Sequence, residues 1–202
     1  MFRFRRALPL VLALLLLPLS LQACTPPPPP DDFAYAEGAF SASVRGTYTP
    51  AGGDAKPIAA DIRIGAPLPE GHPITIRFTQ PPALAGVTVT AAYAPEGGDA
   101  DGPAARTVTF SYPSAYGEIT ASSQAGEFDG LLRFAEALLP LGDVTAVSPT
   151  AEDGTHTVTR RTADGDAEAT YLFTRGSSLP LRVTVTSAGE RLELVVGIQI
   201  IK

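Results

Sequence analysis

The chain has 202 residues, with 15 Lys and Arg against 21 Asp and Glu, a net charge of −6 and a single cysteine. Its length suits one domain with a sizeable core once a leader is removed. The acidic balance excludes a nucleic-acid surface built on a basic field, and a lone cysteine excludes an intramolecular disulfide.

Arg3, Arg5 and Arg6 precede an apolar run over residues 8–21 that ends in Leu21-Gln22-Ala23-Cys24. A positive start, a short apolar centre and small residues before a cleavage point mark a secretory signal. The run is shorter than the roughly 20 residues a helix needs to cross a bilayer. Pro9 and Pro18 also interrupt it, and proline is a poor helix-interior residue. The closing tetrapeptide resembles the lipobox of bacterial lipoproteins. That resemblance implies cleavage between Ala23 and Cys24 and acylation of Cys24, with the protein held on the cell membrane or outer membrane by two or three acyl chains. Removing residues 1–23 takes away three arginines and no acid, so the net charge falls from −6 to −9. Anionic headgroups repel such a domain, and the lipid rather than the protein surface is expected to hold it.

Thr25 and the prolines Pro26 to Pro30 follow. A run of five prolines adopts polyproline II and forms a stalk of roughly 15 Å. With Asp31 and Asp32 it completes a linker over residues 24–32, and a folded domain is expected over residues 33–202. Residues 33–40, with Phe33, Ala36, Glu37 and Phe40, allow a short helical turn.

Short strands split by turn clusters come next. Ile58, Ala60, Ile62 and Ile64 alternate with Ala59, Asp61 and Arg63; Ile74, Ile76 and Phe78 alternate with Thr75, Arg77 and Thr79. Val108, Phe110 and Tyr112 repeat the period-2 pattern, as do Ala167, Ala169, Tyr171 and Phe173, and Leu181, Val183 and Val185. Leu192, Leu194, Val196, Ile198 and Ile200 share one face of the longest strand, and Val195 and Ile201 suggest partial burial of its other face. Gly52-Gly53-Asp54, Glu70-Gly71, Gly97-Gly98-Asp99, Asp153-Gly154, Asp164-Gly165-Asp166 and Ala188-Gly189-Glu190 supply turn chemistry. Connections this short join antiparallel neighbours. The pattern predicts an antiparallel meander of about eight to ten strands curled into a half-barrel.

One segment leaves the two-residue period. Over residues 127–139, Phe128, Leu131, Leu132, Phe134, Ala135, Leu138 and Leu139 fall at helical spacing, and Pro140 and Gly142 end the segment. The expected fold is therefore mainly β, with one amphipathic helix on the concave face of the curved sheet. The apolar stripe allows two arrangements. As solid core it closes the sheet tightly; as a lid it leaves space beneath.

The catalytic inventory is thin. His72 falls in a turn and His156 at a strand start, neither at metal-ligand spacing. No Gly-x-Ser-x-Gly elbow or phosphate loop occurs, and the one thiol belongs to the lipobox. Asp164, Asp166 and Glu168 sit two apart, but the glycine is misplaced for an EF-hand loop and no helices flank them, so a solvated hairpin turn is the expectation. No enzyme activity, metal or cofactor is expected.

A lipobox ahead of a curved antiparallel sheet with a covering helix resembles the lipoprotein-carrier superfamily, which includes LolA, LolB and LppX-like proteins. Phe40-Ser41-Ala42-Ser43-Val44 looks like its opening strand, Pro81-Pro82-Ala83-Leu84-Ala85-Gly86 its post-strand turn, and Leu179-Pro180-Leu181-Arg182-Val183 a strand start near its carboxyl end. The resemblance implies a lipid or acylated cargo between sheet and helix, lined here by Ile74, Ile76, Phe78, Val108, Phe110, Leu131, Phe134 and Leu138. It also carries an alternative. Some relatives in spore-forming bacteria are lipoproteins that assist a cell-wall amidase, which implies a non-catalytic adaptor holding an envelope or spore cell-wall enzyme as its partner.

Overall fold

The computed structural model describes residues 32–95, 104–123, 129–174, 177 and 179–199. The signal segment, Cys24 and the proline linker lie outside these residues. So do Gly97-Gly98-Asp99, Glu127, Phe128, Ile200 and Ile201.

Eleven strands among the described residues form one antiparallel sheet: β1 (Phe40–Thr49), β2 (Lys56–Ile64), β3 (Ile74–Gln80), β4 (Thr88–Pro95), β5 (Ala104–Ser114), β6 (Gly117–Ser123), β7 (Asp143–Val147), β8 (Thr155–Arg161), β9 (Ala167–Thr174), β10 (Arg182–Ser187) and β11 (Glu190–Gln199). The α-helix α1 (Asp129–Glu136) comes between β6 and β7, and 3₁₀ turns occupy Ala34–Glu37 and Pro82–Leu84. The sheet order is β6-β5-β4-β3-β2-β1-β11-β10-β9-β8-β7. This is two meanders rather than one, and it has more strands than the sequence spacing predicts. Pairing of β1 with β11 over nine residue pairs, from Ser41↔Gln199 to Thr49↔Arg191, fuses them. The one sequential pair of described strands left unbonded is β6 and β7. There the chain crosses by way of α1 from one edge of the sheet to the other, so the sheet stays open.

The inner face is read correctly by the alternation. Ile58, Ala60, Ile62, Ile64, Ile74, Ile76, Phe78, Ala169, Tyr171, Phe173, Leu192 and Leu194 are all buried. The expectation fails where the helix does not reach. Tyr112, near the tip of the β5–β6 hairpin, is exposed, and so is Leu181, which precedes β10. Val195 is 54% exposed: it lies on the outer face between Arg45 and Arg182, where no described element covers the sheet.

Two contacts measure the curvature. Arg106 on β5 pairs with Glu136 at the end of α1, at 3.4 Å, and Tyr171 on β9 donates to the Leu139 carbonyl at 2.6 Å. β5 and β9 are seven strand steps apart, about 34 Å across a flat sheet, while three residues of chain reach about 10 Å. Both side chains must also rise off the sheet to meet the helical segment. The sheet therefore curls around α1 as a half-barrel.

Three contacts fasten the amino end of the domain. Asp32, counted with the linker in the sequence, is 6% exposed and bonds His156 Nε2 at 2.9 Å; His156 is 8% exposed and stacks on Phe173. The Arg160 guanidinium lies 4.9 Å over the Phe33 ring.

The seam between β1 and β11 makes a specific demand on Gly46. A Cβ there would lie 1.7 Å from the Glu193 carbonyl oxygen and 2.8 Å from its carbon. Backbone cannot yield as a flexible side chain does. Gly46→Ala is therefore expected to destabilise the domain by about 1–3 kcal/mol, seen as a lower urea midpoint. An unchanged midpoint would show that the strands do not approach this closely.

Candidate functional site

The concave face is covered by α1 and the turn that follows it. Asp129–Glu136 is short of the 127–139 span predicted, partly because residues 127 and 128 lie outside the described residues and partly because the last turn tightens. Ala137 N–H still bonds back to Arg133, but Leu138 bonds to Ala135 and Leu139 to Glu136, the closer 3₁₀ spacing. Helix ends leave carbonyls without partners. Two buried tyrosines take them: Tyr35 donates to the Leu138 oxygen, and Tyr171 donates to the Leu139 oxygen while accepting from Leu141 N–H at 3.1 Å. Burial pushes the Tyr171 phenol up to about 12 and Tyr35 above the ordinary tyrosine range, so both keep the protons they donate. The carboxyl end of the helix is thus pinned from beneath.

Under the helix the interface is filled. Leu132, Phe134, Ala135 and Leu138 are buried against a sheet whose Ile76 and Phe78 are fully covered, with the Phe78 and Phe134 rings edge-to-face at 5.6 Å. Of the residues expected to line a ligand site, Ile74, Ile76, Phe78, Val108, Phe134 and Leu138 are buried, whereas Phe110 and Leu131 are half-buried at the margin. They belong to one core cluster, yet only Leu131 and Phe134 line a cleft beside the helix.

Two such clefts flank α1. One, about 250 Å³, lies on the β1–β2 side, with Ile58, Leu84, Leu131 and Phe134 among its walls and Lys56 and Arg133 also lining it. The other, about 230 Å³, lies towards β9–β11 and is lined by Ala137, Leu141, Tyr171, Val185 and Leu192, with Glu136 and Glu190. Tyr48 and Arg133 line both. Arg133 ion-pairs with Glu190 through Nη1, the same nitrogen donates to the Tyr48 hydroxyl at 3.2 Å, and the guanidinium sits over the Tyr48 ring. Desolvation, then the hydrogen bond to Glu190, raises the Tyr48 phenol. Sequence reasoning missed this bar. Arg133 reads as one more polar residue between apolar ones, and nothing marks Tyr48 or Glu190 as its neighbours.

The remaining candidates are placed elsewhere. A depression of about 510 Å³ on the outer face is lined by Ser41, Ser43, Asp61, Arg63, Thr75 and Arg77 and is open to solvent. His72 Nδ1 lies 3.0 Å from the Gly65 carbonyl within its loop. Asp164 accepts from Thr162 Oγ1 and from Asp166 N–H, which bends the β8–β9 hairpin and holds the Asp164 carboxyl below the usual carboxylate range. Among the described residues no three His, Cys, Asp or Glu side chains converge as metal ligands.

Burial separates two leucines on the same stripe. Leu138→Ala is expected to cost about 2–5 kcal/mol, the range for a fully buried leucine. Leu131→Ala, at the half-open cleft, should cost well under half of that. Equal losses in thermal melts would mean that the cleft is as tightly packed as the core.

No protein-family model matches the chain, and no curated protein matches it. Among solved structures, the chain is similar to an uncharacterized conserved protein from Thermus thermophilus, at 12% identity over 85% of this chain and 84% of that one, with a TM-score of 0.45. It is also similar to a LolA superfamily protein from Nitrosomonas europaea, at 12% identity over 85% and 90%, with a TM-score of 0.45. A DUF1329 family protein from Desulfovibrio piger matches at 10% identity over 84% and 88%, with a TM-score of 0.41.

Proposed function

We propose that this protein is a lipid-anchored envelope protein, held through acyl groups on Cys24, that binds an apolar ligand between its sheet and α1. The observation that carries the reading is the pair of largely apolar clefts on either side of the helix, both bordered by Tyr48 and Arg133, which Glu190 ties together. Each is below the roughly 300 Å³ at which ligand pockets usually begin. A ligand therefore occupies one cleft with part of its chain, or both if the bar moves. The attachment of the helix favours movement at one end. Buried tyrosines fix its carboxyl end, while Gly130 is exposed and Leu131 half-buried at its amino end, where they border the larger cleft. A helix of eight residues is marginal by itself, so its position depends on packing that a ligand can replace. The reading assigns no catalytic step, no cofactor and no nucleic-acid partner.

A second reading, an adaptor that holds an envelope enzyme, is favoured by the β5–β6 hairpin. Tyr112, Tyr116 and Ile119 stand exposed there at a free sheet edge, and an exposed edge is a ready template for a partner.

Native mass spectrometry of residues 24–202 carrying Cys24→Ala tests the choice. A bound small-molecule mass that leaves on delipidation is expected. A bare mass, with no uptake of added fatty acid, would overturn ligand binding. In cells, Cys24→Ala should release the protein or leave it unprocessed; processed protein still sedimenting with membranes would sink the anchor.

A further inference from the structure

The larger cleft has a charge pattern that its apolar walls do not require. Among the described residues its lining includes two cations, Lys56 and Arg133, and no carboxylate. This is unusual in a chain with 21 acids against 15 bases. Lys56 is exposed at the start of β2 and makes no ion pair among the described residues. Among the described residues Arg133 is only half committed. Nη1 serves Tyr48 and Glu190, whereas Nη2 lies 3.6 Å from where a Cβ on Gly130 would stand. Gly130 borders this cleft and not the other, so the uncommitted side of the guanidinium faces the cleft that also holds Lys56. Beneath these groups the walls are Ile58, Leu84, Leu131 and Phe134.

We infer that this cleft binds a single-chain carboxylate amphiphile, its tail against Ile58, Leu84, Leu131 and Phe134 and its head between Lys56 and Arg133. The inference rests on the ligand-binding reading above and adds the class of head group. A volume of about 250 Å³ admits part of one chain rather than two side by side. The planar guanidinium presents parallel donors that match a carboxylate. Lys56 adds a point charge on a flexible stem that lies along apolar surface. Glu190 need not leave, because arginine carries five donors. The second cleft shares Arg133 but adds two carboxylates, Glu136 and Glu190, and no second cation among the described residues, so it favours the same head less.

The test uses residues 24–202 carrying Cys24→Ala, titrated calorimetrically at neutral pH with dodecanoate, dodecanol and dodecylamine below their micelle concentrations. Dodecanoate is expected to bind about tenfold tighter than dodecanol, with dodecylamine weakest, as two partly solvated charge pairs imply. The gap should narrow as salt is raised. Lys56→Gln should bring dodecanoate close to dodecanol, and Lys56→Glu should place dodecylamine ahead of dodecanoate. Arg45→Gln, on the outer face, should keep the tenfold gap. Equal binding of all three amphiphiles would overturn the head-group assignment and leave the groove standing. A dodecanoate preference that survives Lys56→Glu would overturn the placement of the head in this cleft. Binding of none would overturn the groove itself, and this inference with it.

Discussion

The pairing of β1 with β11 is the constraint on which the rest depends. It joins strands from opposite ends of the domain in nine consecutive residue pairs. Without it the two meanders are separate ribbons, each with one apolar face and no partner. Closing so long a loop costs entropy before any contact returns it, although the cost grows slowly with length. The seam also requires a glycine, because a Cβ on Gly46 would collide with the Glu193 carbonyl. Tyr48 lies on this seam, paired with Leu192 on one side and Lys56 on the other. The residue that stands between the two clefts is thus positioned by the pairing that makes the sheet continuous.

The other structural choice is made at the opposite side of the sheet. β6 and β7 are both edges, and their pairing would close the sheet into a barrel. They stay unpaired, and α1, which follows β6 in the chain, packs over β2, β3 and β4 instead. An open sheet with one apolar face needs a cover, and a helix of eight residues covers only the middle of it. The margin is therefore less well packed. Phe110 and Leu131 are half-buried, Tyr112 and Ile119 are exposed, and the two clefts lie along the flanks of the helix. The same shortage of cover supports both proposed readings, a ligand beside the helix and a partner at the hairpin.

The polar groups inside the domain are fasteners. Tyr35 and Tyr171 satisfy carbonyls that the helix end leaves open. Asp32 and His156 satisfy each other where both are buried, and breaking such a pair typically costs about 3–5 kcal/mol because the survivor is stranded. Arg133 differs from these. Its partners Tyr48 and Glu190 lie at a partly solvated rim, where exchange of one acceptor for another costs little. The helix is thus held strongly at its carboxyl end and lightly along the side that borders the clefts.

Periodicity by itself determined six of the eleven strands, β2, β3, β5, β9, β10 and β11, most of their inner faces and the presence of one helix. A period of two or of 3.6 is a local property, and burial of one face reads directly onto it: Ile74, Ile76 and Phe78 needed no tertiary information. Turn chemistry likewise placed Gly52, Gly154, Gly165 and Gly189, all with positive φ. Part of the expected site was legible for the same reason, since Leu131 and Phe134 lie on the helical stripe and do line a cleft. What the tertiary structure alone decided were relations between residues far apart in the chain: β1 with β11, Asp32 with His156, Tyr48 with Arg133 and Glu190. Neither Val195 nor Tyr112 announces that it will stand uncovered, because an alternating pattern does not say where a second layer stops. Pairing across a long loop and the extent of cover come from the sum of all the contacts, and no local window of sequence carries that sum.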